Sequence, residues 1–214
     1  MADELLLHLN TGWTSPYAFS VFVALTEKGL PFRTVEVDLR AGQHHLPEYQ
    51  GASFTGRIPA LRHGDFWLAE SSAIDEYLEE AFPPPAHARL YPGDAQARAR
   101  ARMVQAFVRS DAMPVREERS TDTLFAGAAA RPFTAAGQAA ADRLVQVAGR
   151  FLPAGQPYLA GQAFGIADAD LALMLQRLVH GGDPVPARLA EYAGRVFQRP
   201  SVRAWLAHTK WTDR

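Results

Sequence analysis

The sequence predicts a small α/β domain followed by an all-helical one. Three observations predict it. Up to Ala81 the apolar residues switch between strand and helix periods; a run of prolines then interrupts every regular pattern; and only helical stripes follow.

Residues 5–9, Leu-Leu-Leu-His-Leu, read as a short buried strand. Thr14-Ser15-Pro16 then starts a helix over about residues 17–28. Ser15 is a good N-cap, and Pro16 loses nothing at the first helical position, where its missing N–H would be an orphan anyway. Lys28 supplies a C-terminal cation, Gly29 a left-handed stop, and Pro31 bars continuation. Over residues 32–39, Val35, Val37 and Leu39 alternate with Thr34, Glu36 and Asp38, the pattern of a half-buried strand. Residues 42–54 are polar and irregular and read as a loop with a weak helical turn. Residues 58–62 and 66–68 flank His63-Gly64-Asp65, a hairpin signal. Residues 71–81 are helical, with Ile74, Tyr77, Leu78 and Ala81 on one face. The first three elements form a βαβ unit whose sheet the hairpin extends.

The stretch FPPPAHARLYP, residues 82–92, cannot be a regular element, because three consecutive prolines favour a stiff extended linker. It sets the expected domains at 1–83 and 90–214. Beyond it, Ala97, Ala101, Val104 and Val108 make one helical stripe. Ala136, Ala140, Leu144, Val147 and Phe151 make another, ended by Pro153. Residues 166–179 form a strongly apolar helix stopped by Gly181-Gly182-Asp183-Pro184, and two shorter helices near 186–197 and 202–208 close the chain.

Composition narrows the function. A chain of 214 residues with 48% hydrophobic and 21% charged residues is an ordinary globular protein. A net charge of −1 argues against a nucleic-acid partner. The absence of cysteine excludes disulfides, thiolate metal sites and a cysteine nucleophile on this chain. The N-terminus lacks the basic region of a signal peptide, and no apolar run reaches membrane-spanning length. The expectation is a cytoplasmic protein with no membrane partner. His44-His45 has no third ligand at metal spacing, so no metal is expected.

Four motifs, in this order and spacing, resemble the cytosolic glutathione S-transferase superfamily over nearly the whole chain. TSPYAFSVFVALTEKGLPF is similar to the strand-to-helix turn of its serine-type classes, GRIPAL to its cis-proline segment, LAESSAIDEYLEE to its Glu-Ser pair, and GIADADLAL to the start of its central C-terminal helix. Among branches the serine-type bacterial enzymes fit best, and RSDAMPVREERSTDTLFAG resembles the YfcF-like group. The resemblance implies a thioredoxin-like N-terminal domain, an all-α C-terminal domain and a homodimer. It implies glutathione as co-substrate, with no covalently bound cofactor, and a small hydrophobic electrophile or hydroperoxide as second substrate. The implied activity is conjugation of glutathione, reduction of organic hydroperoxides, or both; a zeta-type isomerase and a non-catalytic binding protein on the same fold are the alternatives.

The same resemblance implies the site. Ser15 is its catalytic hydroxyl, with Thr14 as the alternative donor. Ile58, before a cis Pro59, offers its backbone to glutathione like an added strand, beside Arg57. Glu70 takes the ligand's ammonium, while the Ser71 N–H and hydroxyl take its α-carboxylate at a helix start. Gln43 or His44 meets the glycine end. Thr14, Tyr17, Arg109, Met113 and Arg116 are candidates for the second-substrate pocket, and Arg119 is considered with them. Asp168 is structural: with Gly165 where the family has Ser or Thr, only half of a capping box remains. The family's usual Asn-Pro pair before the cis proline is also missing.

Energetics favour a catalytic Ser15. A thiol of pKa near 8.5 is only a few per cent ionised at neutral pH, and lowering it by about two units needs roughly 2.7 kcal/mol. A helix N-terminus supplies about 0.3–1 kcal/mol. A hydroxyl donating to the thiolate adds about 1.5–3 kcal/mol, and the two together suffice.

Overall fold

A computed structural model of the chain describes residues 4–152 and 154–213. The chain divides into two compact units, one ending at Leu90 and the other beginning at Tyr91.

The first unit contains β1 (Leu5–Asn10), α1 (Pro16–Glu27), β2 (Phe32–Val37), α2 (Pro47–Ser53), β3 (Ala60–His63), β4 (Phe66–Ala69) and α3 (Ser71–Ala81). The sheet order is β2-β1-β3-β4, with β1 parallel to β2 and antiparallel to β3, and β3 antiparallel to β4. As a central strand β1 is buried along its whole length, which is why it reads as an apolar run rather than an alternation. Its neighbour β2 ends at Val37. Leu39 lies beyond it and is 38% exposed, so the expected inward stripe stops one position early.

Helices α1 and α3 pack on each other, with Phe19, Val23, Ile74 and Leu78 fully buried. The inward face of α3 is turned from the expected one. Ile74, Asp75, Leu78 and Glu79 are buried, whereas Tyr77 is half-buried and Ala81 exposed. Two carboxylates can lie on that face because each has a partner. The Ser20 hydroxyl donates to Asp75 at 3.2 Å, and Lys28 pairs with Glu79 at 3.0 Å.

Lys28 does more than end α1. Its ammonium also donates to the carbonyls of Phe82 and Ala88, both at 2.9 Å, while Glu79 accepts the Leu90 N–H at 2.8 Å. One buried ion pair thereby ties the proline-rich segment back to the first unit, which is why that unit extends to Leu90. Residues 42–54, expected as a loop with a weak turn, form a 3₁₀ turn at Gln43–His45 followed by α2. Only Ser53 of α2 is buried, so no apolar stripe announces the helix.

The second unit contains α4 (Ala95–Ser110), α5 (Met113–Glu118), α6 (Thr121–Phe125), α7 (Ala135–Phe151), α8 (Ile166–Gly181), α9 (Ala187–Phe197) and α10 (Pro200–Leu206). Helix α8 is buried almost all round and is its axis, with α4, α5, α6, α7 and α9 packed against it. Gly182, at φ 77°, ends it as expected. At its start the Asp168 carboxylate accepts the Gly165 N–H at 2.9 Å, the Leu159 N–H at 2.8 Å and the Tyr192 hydroxyl at 2.8 Å. Burial pushes the Asp168 carboxyl up to about 6 against the pull of those bonds and of the Arg199 charge. Asp168 therefore anchors α8, and the half-box reading holds. The stripe of α7 differs from expectation: Gly137, Ala141, Leu144 and Ala148 are buried, while Ala136 is exposed. A run of alanines is periodic in every register, so only Leu144 was diagnostic. The expected stop at Pro153 lies outside the described residues.

Replacing Lys28 by Met leaves Glu79 charged, buried and unpaired, a class of change that costs about 3–5 kcal/mol. Lys28→Met should lower the urea midpoint accordingly and open residues 82–90 to limited proteolysis. A variant as protease-resistant there as the parent contradicts this role.

Candidate active site

Strand register brings the candidate residues of the first unit to one edge of the sheet. His8 of β1 pairs with Ala60 of β3, and Ala60 pairs with Ala69 of β4. The end of β1, the start of β3 and the end of β4 are therefore neighbours, and β2, parallel to β1, ends at the same edge. Ser15 follows β1, Gln43 and His44 follow β2, Ile58-Pro59 precedes β3, and Glu70-Ser71 follows β4.

Ser15 is the N-cap of α1, with extended backbone and an Oγ that accepts the Ala18 N–H at 3.2 Å. An oxygen that already accepts still has its own proton to donate. Thr14 and Tyr17 are half-buried beside it. The N-terminus of α3 differs, having no side-chain cap. Glu70 precedes it at φ 67°, a backbone conformation that a residue with a Cβ seldom takes, and its exposed side chain has no partner among the described residues. Ser71 is buried, and its hydroxyl has no partner there either.

The Ile58–Pro59 bond is cis, as the resemblance implied. Neither the N–H nor the C=O of Ile58 is hydrogen-bonded among the described residues, so the backbone just ahead of β3 is open to an added strand. Arg57 is exposed, and its carbonyl accepts the Tyr49 hydroxyl at 2.9 Å. Gln43 is turned away: its Oε1 accepts the Asp38 N–H at 2.8 Å and closes the loop after β2. His44 stacks on His45 with ring centres 3.7 Å apart, and its Nδ1 is buried with no partner among the described residues.

In the second unit Arg109 is ion-paired with Asp170 at 3.1 Å, and Arg116 donates to the Arg109 carbonyl at 2.7 Å. Met113 is 40% exposed. Arg119 is buried, grips both oxygens of Asp183 at 2.6 and 2.7 Å and lies over the Phe133 ring, so it braces the helical unit rather than a ligand. Among the described residues no group of three His, Asp or Glu side chains could hold a metal ion, and no helix is long and apolar enough to cross a membrane.

Sequence comparison decides the family. Residues 14–81 match the model of the glutathione S-transferase N-terminal domain, and residues 94–210 match that of its C-terminal domain. This chain belongs to the glutathione S-transferase family. A Burkholderia glutathione transferase homolog, solved by crystallography with bound glutathione, is 39% identical to it with a TM-score of 0.77, covering 95% of this chain and 96% of that one. Glutathione S-transferase 3 of Zea mays is 33% identical over 196 residues, which is 89% of this chain and 83% of its own. Maleylacetoacetate isomerase of Pseudomonas aeruginosa is 39% identical over 113 residues, 51% of each chain.

Two polar residues near this sheet edge escape sequence reading. Asn10 clips the loop before Ser15, and its only signal was a polar residue ending an apolar run. His8, in the middle of β1, lies against Trp67 of β4 and Tyr49 of α2, with ring centres 4.7 and 5.8 Å away, beneath the segment that leads to Ile58. Both ring nitrogens are buried without a partner among the described residues. Burial, helped by the Arg62 charge, brings its pKa down to about 4 from the model-peptide value of 6.5.

The direction of the linkage follows. The unfolded chain takes up a proton at His8 below 6.5 while the folded one does so only near 4, so His8 contributes stability above 6.5 that is lost as pH falls through 4. His8→Leu should therefore show a flatter decline of the urea midpoint between those two pH values than the parent. Parallel declines would mean that His8 is not the titrating group.

Proposed function

We propose that the chain is a glutathione transferase of the serine type, holding glutathione at the sheet edge as a thiolate and directing its sulfur at a small hydrophobic electrophile or at the O–O bond of an organic hydroperoxide. The observation that carries this reading is the match between the unpartnered groups at that edge and the ends of glutathione. The free Glu70 carboxylate suits the ligand's ammonium, and the uncapped α3 start with the Ser71 hydroxyl suits the adjacent carboxylate. The open backbone of Ile58 suits the cysteinyl peptide unit, and the orphan Nδ1 of His44 suits the glycyl carboxylate. Arg57 and Gln43 flank these contacts, and Ser15 is placed for the sulfur.

With no cysteine on the chain, every thiol step belongs to glutathione. In conjugation the thiolate forms a carbon–sulfur bond and the electrophile's leaving group departs, halide in the case of an aryl halide. In peroxide reduction the thiolate takes one oxygen, releasing an alcohol, and a second glutathione displaces water from the resulting sulfenic acid to give the disulfide. A homodimer belongs to the same reading. Phe54, 83% exposed, and Leu46, 50% exposed, offer apolar surface for it. The partial match to maleylacetoacetate isomerase favours one second reading, an isomerase that regenerates glutathione in each cycle.

Ser15→Ala decides the chemistry. Losing the cap costs about 1 kcal/mol, which a domain of normal stability tolerates. The absorbance of bound thiolate should titrate about one unit higher, equivalent to roughly 1.4 kcal/mol. Glutathione consumption with cumene hydroperoxide or an aryl halide should fall at neutral pH and partly recover as pH rises, while Thr14→Ala changes little. If the two variants exchange behaviours, Thr14 is the donor; if neither shifts the titration, the mechanism is wrong.

Glu70→Gln should act on binding. Removing the charge that pairs with the ammonium costs about 2–5 kcal/mol if the pair is desolvated, expressed as a higher KM for glutathione with kcat nearly kept. A collapse of kcat at unchanged KM would place Glu70 in the chemistry instead.

A further inference from the structure

Asn10 ends the central strand and is 7% exposed. A buried amide is tolerated only when its polar atoms are bonded, and every bond the Asn10 side chain makes goes to the loop that follows it. Its Oδ1 accepts the Ser15 N–H at 3.0 Å, and its Nδ2 donates to Thr14 Oγ1 at 2.9 Å and to the Thr11 carbonyl at 3.2 Å. Its own carbonyl accepts the Trp13 N–H at 3.1 Å. The amide's orientation follows from this network, since only the oxygen can accept from an N–H.

The loop needs such a clip. Gly12 and Trp13 are consecutive left-handed residues, at φ 88° and 57°, and the second is a bulky aromatic that seldom adopts that conformation. Trp13 is 6% exposed and its indole N–H donates to Glu36 at 3.0 Å, so one end of the loop is pinned to β2. The other end is pinned by Asn10. Ser15 is then held from both sides, its N–H by Asn10 and its Oγ by the Ala18 N–H. Thr14 is held differently: its hydroxyl oxygen faces Asn10, back toward the strand.

We propose that Asn10 is a positioning residue for the thiolate: by drawing the Thr14 hydroxyl back and fixing the Ser15 backbone, it makes Ser15 the hydroxyl presented to sulfur. This rests on the transferase reading above, with Ser15 as the sulfur's donor. The Asn10 side chain spends its bonds on Thr11, Thr14 and Ser15, so it acts through the residues of the loop. Its removal lets Ser15 Oγ sample positions from which its hydrogen bond to sulfur is longer or bent, and such bonds weaken steeply with misalignment.

The test is a thiol titration of the glutathione complex in the full chain, with unfolding curves as the control. Asn10→Ala should raise the titration midpoint by about half a unit, roughly a threefold loss in the thiol's ionisation constant. KM for glutathione should stay within about twofold, because the Glu70, Ser71 and Ile58 contacts are untouched. In the Ser15→Ala background, Asn10→Ala should add no further shift, since the effect runs through Ser15. Asn10→Ser keeps a polar atom but is too short to span both partners; it should behave like Asn10→Ala and serves if that variant does not fold. A shift in Ser15→Ala with none in either Asn10 variant overturns the proposal and leaves the transferase reading standing. Equal Asn10 shifts with and without Ser15 also overturn it. No shift in Ser15→Ala removes the mechanism on which the proposal rests.

Discussion

The placement of β3 between β1 and β4, antiparallel to both, is the constraint on which the rest of the first unit depends. It sets the start of one strand beside the ends of two others, and the parallel β2 adds a third end at the same edge. Four connections therefore meet where α1 and α3 begin. The three non-glycine residues with positive φ among the described ones are Trp13, Phe54 and Glu70, and each lies in a connection to that edge. Such conformations cost of order 1–3 kcal/mol each and persist only where the surroundings impose them. Here the surroundings are a fully buried central strand and two helices packed over it.

Buried charge is handled in two ways. Where it serves the fold, each group is fully engaged. Lys28 takes Glu79 and two carbonyls, Arg119 takes both oxygens of Asp183, and Asp168 takes two backbone N–H groups and a phenol. At the sheet edge the opposite holds. Glu70, the Ser71 hydroxyl, the Ile58 backbone and the His44 Nδ1 have no partner among the described residues. Their gathering at one edge, with Glu70 exposed and the His44 Nδ1 buried, is the observation on which the proposed function rests.

Asn10 links these two regimes. It is buried and saturated like a structural residue, yet its bonds end on the two hydroxyl-bearing residues of the site. His8, two residues earlier and on the same side of β1, is buried with both ring nitrogens unpaired among the described residues, and its tolerance depends on staying neutral.

The sequence by itself determined the order of elements, because apolar period and cap chemistry act locally. Residues 71–81 were legible as α3 to the residue, the stop at Gly182 followed from glycine's access to positive φ, and Ser15-Pro16 announced the start of α1. Motif spacing made Ser15, Ile58-Pro59 and Glu70-Ser71 legible as candidates, and the fold brings them to one edge of the sheet. Only the tertiary structure decided which charged residues go inside, since burial of Asp75, Glu79 and Lys28 depends on partners as far as 60 residues away in the chain. It also decided the existence of α2, whose helix has no apolar stripe to read, and the register of the alanine-rich α7. Periodicity reports that a face is apolar; the partner that makes a charge tolerable on that face comes from another element, and only the folded chain brings the two together.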